Sequence, residues 1–75
     1  MTRLPRITAE RLIKALRKVG YEPVRRKGSH VILKDDTGRV TVVPVHKGEV
    51  LGPGIIRKVL RDCDLAVEQF VDLIG

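Results

Sequence analysis

The chain predicts an α+β fold in the order αβββα(α), a three-stranded antiparallel sheet with its helices packed on one face. Three observations carry this. Apolar residues recur at helical spacing before Gly20 and again after Gly54, the period between them falls to two, and Asp35-Asp36-Thr37-Gly38 interrupts that middle stretch as a hairpin turn. Seventy-five residues make a single domain, 1–75, small enough to bury only about 60% of its unfolded surface.

Each element has a local reason. Thr8 caps a helix predicted over residues 9–19, with Glu10 in its first turn and Gly20 past its end as a left-handed terminator. Leu12, Ala15, Leu16 and Val19 form its buried stripe, while Arg11, Lys14 and Lys18 line a solvent-facing one. Glu22–Lys27 reads as the first strand, with Pro23 at its start where a missing N–H is tolerated. Residues 30–35 and 39–44 make the second and third strands. Burying Val31, Leu33, Val40 and Val42 places His30, Ile32 and Lys34 on the opposite face, next to Arg39 and Thr41. The other phase, burying Ile32 and Val43, is only slightly less apolar. After a loop over residues 45–51, Pro53 opens a helix to Asp62 with Ile55, Ile56, Val59 and Leu60 turned inward. Asp64 is expected to cap a last helix over residues 65–74, packed through Val67, Phe70, Val71 and Ile74.

Composition narrows the function. The net charge is +6, and residues 1–34 carry ten Lys or Arg against Glu10 and Glu22, whereas residues 35–75 carry five against seven acids. The basic half is the expected polyanion surface, for nucleic acid before an acidic protein or an anionic membrane. Tyr21 and Phe70 are the only aromatic residues, too few for a base-stacking platform, so recognition should rest on phosphates and shape. No apolar run approaches the roughly 18 residues of a membrane span, and the basic start is not followed by a signal-like apolar region, which predicts a cytoplasmic protein. Cys63 is the single cysteine; it has no disulfide partner and no ligand-spaced neighbours, so no metal site and no small-molecule cofactor are expected.

Gly28-Ser29-His30 follows Arg25-Arg26-Lys27 directly and precedes Val31-Ile32-Leu33. A histidine, with an ordinary pKa of about 6.5, both takes and gives protons near neutrality, and here it stands among cations suited to a phosphodiester. His30 is therefore the catalytic candidate. Contacts to the polyanion are expected from Arg11, Lys14 and Lys18 on the first helix and from Arg25, Arg26, Lys27, Ser29, Lys34, Arg39 and Lys47 on the sheet and its loops. The helical stripe reads more readily as a merely solvated face, as charge runs usually are.

Taken in order, the first helix, Gly20-Tyr21, the basic strand, Gly28-Ser29-His30, Pro44-Val45-His46-Lys47-Gly48 and the Gly54-Ile55-Ile56-Arg57-Lys58-Val59-Leu60 helix resemble the HicA family of toxin–antitoxin mRNA interferases, over about residues 6–75. The resemblance implies the toxin of a type II toxin–antitoxin system, a growth-arresting endoribonuclease of double-stranded-RNA-binding-domain-like fold that cleaves mRNA without a metal. It implies catalysis by His30, with Gly28 as the glycine of close approach, His46 in the family's Pro-x-His position as a structural or auxiliary residue, and a HicB-type antitoxin as partner. The family usually has Gly-Thr-Leu where this chain has Gly54-Ile55-Ile56. The competing readings are a non-catalytic RNA-binding module of the same fold and a domain that binds an acidic protein.

Overall fold

The computed structural model describes residues 4–74 and has the element order α1 (Ala9–Arg17), β1 (Glu22–Lys27), β2 (His30–Lys34), β3 (Val40–Pro44), α2 (Pro53–Asp62) and α3 (Val67–Ile74). The predicted αβββαα order is the observed one. The strands pair antiparallel in the order β1-β2-β3, and among the described residues no helix is long and apolar enough to cross a membrane.

Thr8 caps α1 as expected, its hydroxyl accepting the Arg11 N–H at 3.3 Å. The helix ends at Arg17, two residues earlier than predicted, because Lys18 and Gly20 turn the chain and Gly20 takes a φ of 97° that only glycine adopts cheaply. Val19 therefore leaves the stripe and is 40% exposed. Ile7, Ala9, Leu12, Ala15 and Leu16 join Tyr21, Val31, Leu33 and Val43 of the sheet side with Leu51, Ile56, Val59, Leu60 and Phe70 in one core. Ile55, predicted inward, is partly exposed, since Ile56, Val59 and Leu60 already fill the inner arc of α2.

The strand phase is half as predicted. Val31 and Leu33 face the core, so His30, Ile32 and Lys34 point away from it. In β3, however, Thr41 and Val43 are buried while Val40 and Val42 are exposed. Register requires this, because Leu33 lies opposite Thr41 and Val31 opposite Val43, and residues directly across a ladder share a face. A hydroxyl is tolerated there because Thr41 Oγ1 donates to the Asp62 carboxylate, 3.0 Å away at the end of α2. Arg39 falls outside β3, and neither it nor Thr41 sits beside His30.

Both hairpins are built by their turn residues. Asp35 Oδ1 accepts from the Thr37 hydroxyl (2.7 Å), the Arg39 N–H (2.8 Å) and the Thr37 N–H (3.0 Å), an arrangement that closes the β2–β3 turn. Asp64, predicted as an N-cap, instead ends α2: its φ is 54°, its N–H donates to Arg61 O, and the Leu65 N–H reaches back to Leu60 O. The first turn of α3 is served by Gln69, whose side-chain oxygen accepts the Ala66 N–H at 2.8 Å. Cys63 is buried at the C-cap of α2.

Candidate active site

The site is built by the shortest connection in the fold. Lys27 pairs with His30, leaving Gly28 and Ser29 as a two-residue hairpin loop. Gly28 has a φ of 59° and Ser29 is not left-handed, the pattern of a type II′ turn with glycine at its first central position. A Cβ at Gly28 would meet nothing within 4 Å, so within this chain the glycine is required by its backbone angle. That turn sets the register, and the register sets Lys27 directly across from His30, with Cα atoms roughly 5.5 Å apart.

On its other side His30 lies opposite Pro44. One rung further on, the Val45 N–H donates to Ser29 O at 2.6 Å. His46 and His30 are thus each one residue from the same rung, and Lys47 follows in a turn closed by the Glu49 N–H on His46 O. His30, His46 and Lys47 are exposed, and Ser29 is half-buried. The structure therefore brings Lys27, Ser29, His30, Pro44, His46 and Lys47 to one end of the sheet.

Alternation places Arg25 and Lys34 on the same outer face as His30, with Ile32 and Val42 between them. Lys34 is four residues along β2, roughly 13 Å from His30. Arg26 points to the other face of the exposed edge strand, and its Nε donates to Gly28 O at 3.1 Å, which braces the hairpin from behind. Arg39 reaches Asp64 at 3.6 Å at the far end of the sheet.

Arg11, Lys14 and Lys18 are not part of this cluster. They line a groove of about 230 Å³ between α1 and α3. Arg11 Nη2 donates to Ile74 O at 3.2 Å and Lys18 Nζ to Leu73 O at 2.7 Å. Cations at these carbonyls satisfy acceptors that a helix end leaves unpaired and complement its negative pole. No group of three or more His, Cys, Asp or Glu that would hold a metal occurs among the described residues.

Pro44 enters the sequence reading only as the proline of Pro44-Val45-His46; its place opposite His30 comes from the register. The signal was present in the hairpin: counting outward from a turn centred on Thr37 pairs residue 30 with residue 44. Chemically, the arrangement offers an exposed imidazole, one lysine across the ladder from it, a second imidazole in the adjoining loop, and a short turn carrying the Ser29 hydroxyl. These are the parts needed to hold a phosphodiester and move a proton beside it.

A family model described as HicA toxin of bacterial toxin-antitoxin matches residues 9–65, which run from the first residue of α1 past the end of α2 and include the whole cluster around His30. No curated protein matches the chain.

Proposed function

Since the chain belongs to the HicA toxins of bacterial toxin–antitoxin systems, we propose that it acts as an endoribonuclease that cleaves mRNA through His30 and is neutralised by a HicB-type antitoxin. The observation that carries this reading is the exposed imidazole of His30, held across the ladder from Lys27 by a two-residue turn.

In the proposed reaction His30 takes the proton of the ribose 2′-OH, whose oxygen attacks the adjacent phosphorus. The P–O5′ bond then breaks, leaving a 2′,3′-cyclic phosphate on one fragment and an O5′ that takes a proton from water to become the 5′-hydroxyl of the other, while the imidazolium returns its proton to solvent. Lys27 is the cation best placed to offset the negative charge that grows on the phosphorane, because it is the residue paired with His30. Arg25 and Lys34 extend the same basic face and hold neighbouring phosphates, and Lys47 borders it from the loop. His46 stands one residue beyond the rung that joins Ser29 to Val45, within reach of the same substrate end. DNA, lacking the 2′-OH, is not cut.

Inducible expression of the parent and of His30→Ala tests the reading. The parent should arrest growth and degrade mRNA to fragments with cyclic phosphate ends, and the variant should do neither while remaining folded. A folded His30→Ala protein that degrades mRNA as the parent does would overturn it. RNA binding without cleavage by the parent would favour the non-catalytic module.

A further inference from the structure

The two edges of the sheet are not alike. β1 is blunted in three ways: Pro23 near its start, a register shift between Pro23 and Arg25, and the charged run Arg25-Arg26-Lys27. Each is a recognised device against strand addition. β3, by contrast, reads Val-Thr-Val-Val-Pro without a charge or a bulge, and no described strand covers its outer side.

The ladder shows which backbone groups that edge leaves free. The Val45 N–H donates to Ser29 O and the Asp35 N–H to Arg39 O, so residues 29, 31, 33 and 35 exchange bonds with 45, 43, 41 and 39. Thr41 and Val43 therefore turn their N–H and C=O groups toward β2. Val40 and Val42 turn theirs outward, and Pro44 offers only a carbonyl. No described residue accepts from or donates to the Val40 or Val42 backbone in a turn, loop or cap. Their side chains, 47% and 36% exposed, lie beside Ile32 on the outer face.

We infer that the open edge of β3 receives an extended strand from an acidic protein partner, bonded to the Val40 and Val42 backbone and carrying apolar side chains over Val40, Val42 and Ile32. Charge selects the occupant. Arg25, Lys27 and Lys34 share the face with these valines against the single acid Glu22 across from Lys34, and the chain carries a net +6, so a second copy would bring a net excess of like charge together while an acidic partner neutralises it. Free main-chain donors select a protein strand, since main-chain ladder bonds supply affinity in strand addition and alternate side chains supply specificity. This deepens the proposed function by naming the surface that holds the antitoxin, and it rests on there being one.

Amide hydrogen exchange tests it, on the chain alone and on the chain mixed with the antitoxin protein encoded beside it. Alone, the Val40 and Val42 amides should exchange at least 100-fold faster than those of Thr41 and Val43. In the complex they should slow by a similar factor. A complex that forms while both amides still exchange fast overturns the edge assignment and leaves the antitoxin reading intact. Failure to form any complex overturns both. Slow exchange of both amides in the chain alone, rising with concentration together with a dimeric mass, overturns the assignment in favour of self-pairing. The variant Val42→Pro removes one outward N–H and no bond to β2, a position where sheets tolerate proline. It should melt within a few degrees of the parent yet bind the antitoxin at least tenfold more weakly, and parental binding by the folded variant would refute the inference.

Discussion

Lys27 and Lys34 share a face and are both exposed, Lys27 across from His30 and Lys34 across from Glu22, and their different distances from His30 let them test where the charge of the reaction develops. Cleavage through a phosphorane adds about one negative charge near His30. A cation roughly 5 Å from that charge contributes about 1–3 kcal/mol for effective dielectric constants between 80 and 20, the upper part of the range applying once substrate excludes water. At the roughly 13 Å of Lys34, beyond the Debye length of about 8 Å at physiological salt, the same arithmetic leaves a few tenths. Lys27→Met should therefore lower the single-turnover cleavage rate about 5- to 150-fold, and Lys34→Met by less than twofold. RNA affinity should weaken similarly in both, because each removes one phosphate contact, and the salt dependence of binding should flatten by about one phosphate. Rates are measured with a short labelled RNA under saturating enzyme, and folding is checked by circular dichroism. Equal rate losses in the two folded variants would refute the placement of the reacting phosphate at the His30 end.

Three further outcomes follow from the fold. The Tyr21 hydroxyl is buried with no hydrogen-bond partner among the described groups, and burial beside the Cys63 thiol pushes its pKa far up; removing an unsatisfied hydroxyl costs little, so Tyr21→Phe should be neutral or stabilise by up to about 1 kcal/mol in urea unfolding, and a loss above that would show a bond to the thiol. Partial burial raises the Asp35 carboxyl, but the Thr37 hydroxyl and the Arg39 and Thr37 N–H groups together hold it below its ordinary 3.8. Its stabilisation is therefore present above that value and is lost as pH falls through the lower folded value, so the melting temperatures of the parent and Asp35→Asn should differ at pH 7 and draw together below pH 3.8; a gap that does not narrow as the pH falls below 3.8 would contradict this. Gly28→Ala should cost about 1–2 kcal/mol through its positive φ and reduce cleavage by loosening the turn that aligns His30; an unchanged melting curve would show the turn relaxing to another form.

Local signals carried much of this molecule, and long-range partners carried the rest. The two-residue Gly28-Ser29 turn, the Asp35 hairpin and the Thr8 cap are written in adjacent residues, and each stands where the sequence places it. The outward direction of His30 is the favoured reading over an opposite phase only slightly less apolar, and the burial of Val31 and Leu33 in the fold decides it. The phase of β3 is misjudged because Val40, Val42 and Val43 make both faces apolar, although counting outward from Thr37 pairs Leu33 with Thr41 and Val31 with Val43. What adjacent residues do not show is the contact that lets Thr41 be buried, its bond to Asp62, 21 residues later. Arg11 and Lys18 show the same limit: at helical spacing they read as a free basic stripe, yet they reach carbonyls of α3 more than fifty residues away. Asp64 fits a helix start in composition, and only its backbone angle shows that it ends the preceding helix.

The central claim is that His30 moves the proton that starts cleavage. Its most direct measurement is the single-turnover rate of RNA cleavage by purified His30→Ala beside the parent, with melting temperature and RNA affinity recorded on the same samples. A positioned proton-transfer group is worth about 10²- to 10⁴-fold, so the variant should lose that much rate while its melting temperature stays within a few degrees and its RNA affinity within a few-fold. A folded, RNA-binding His30→Ala protein that cleaves at the parental rate would contradict the account.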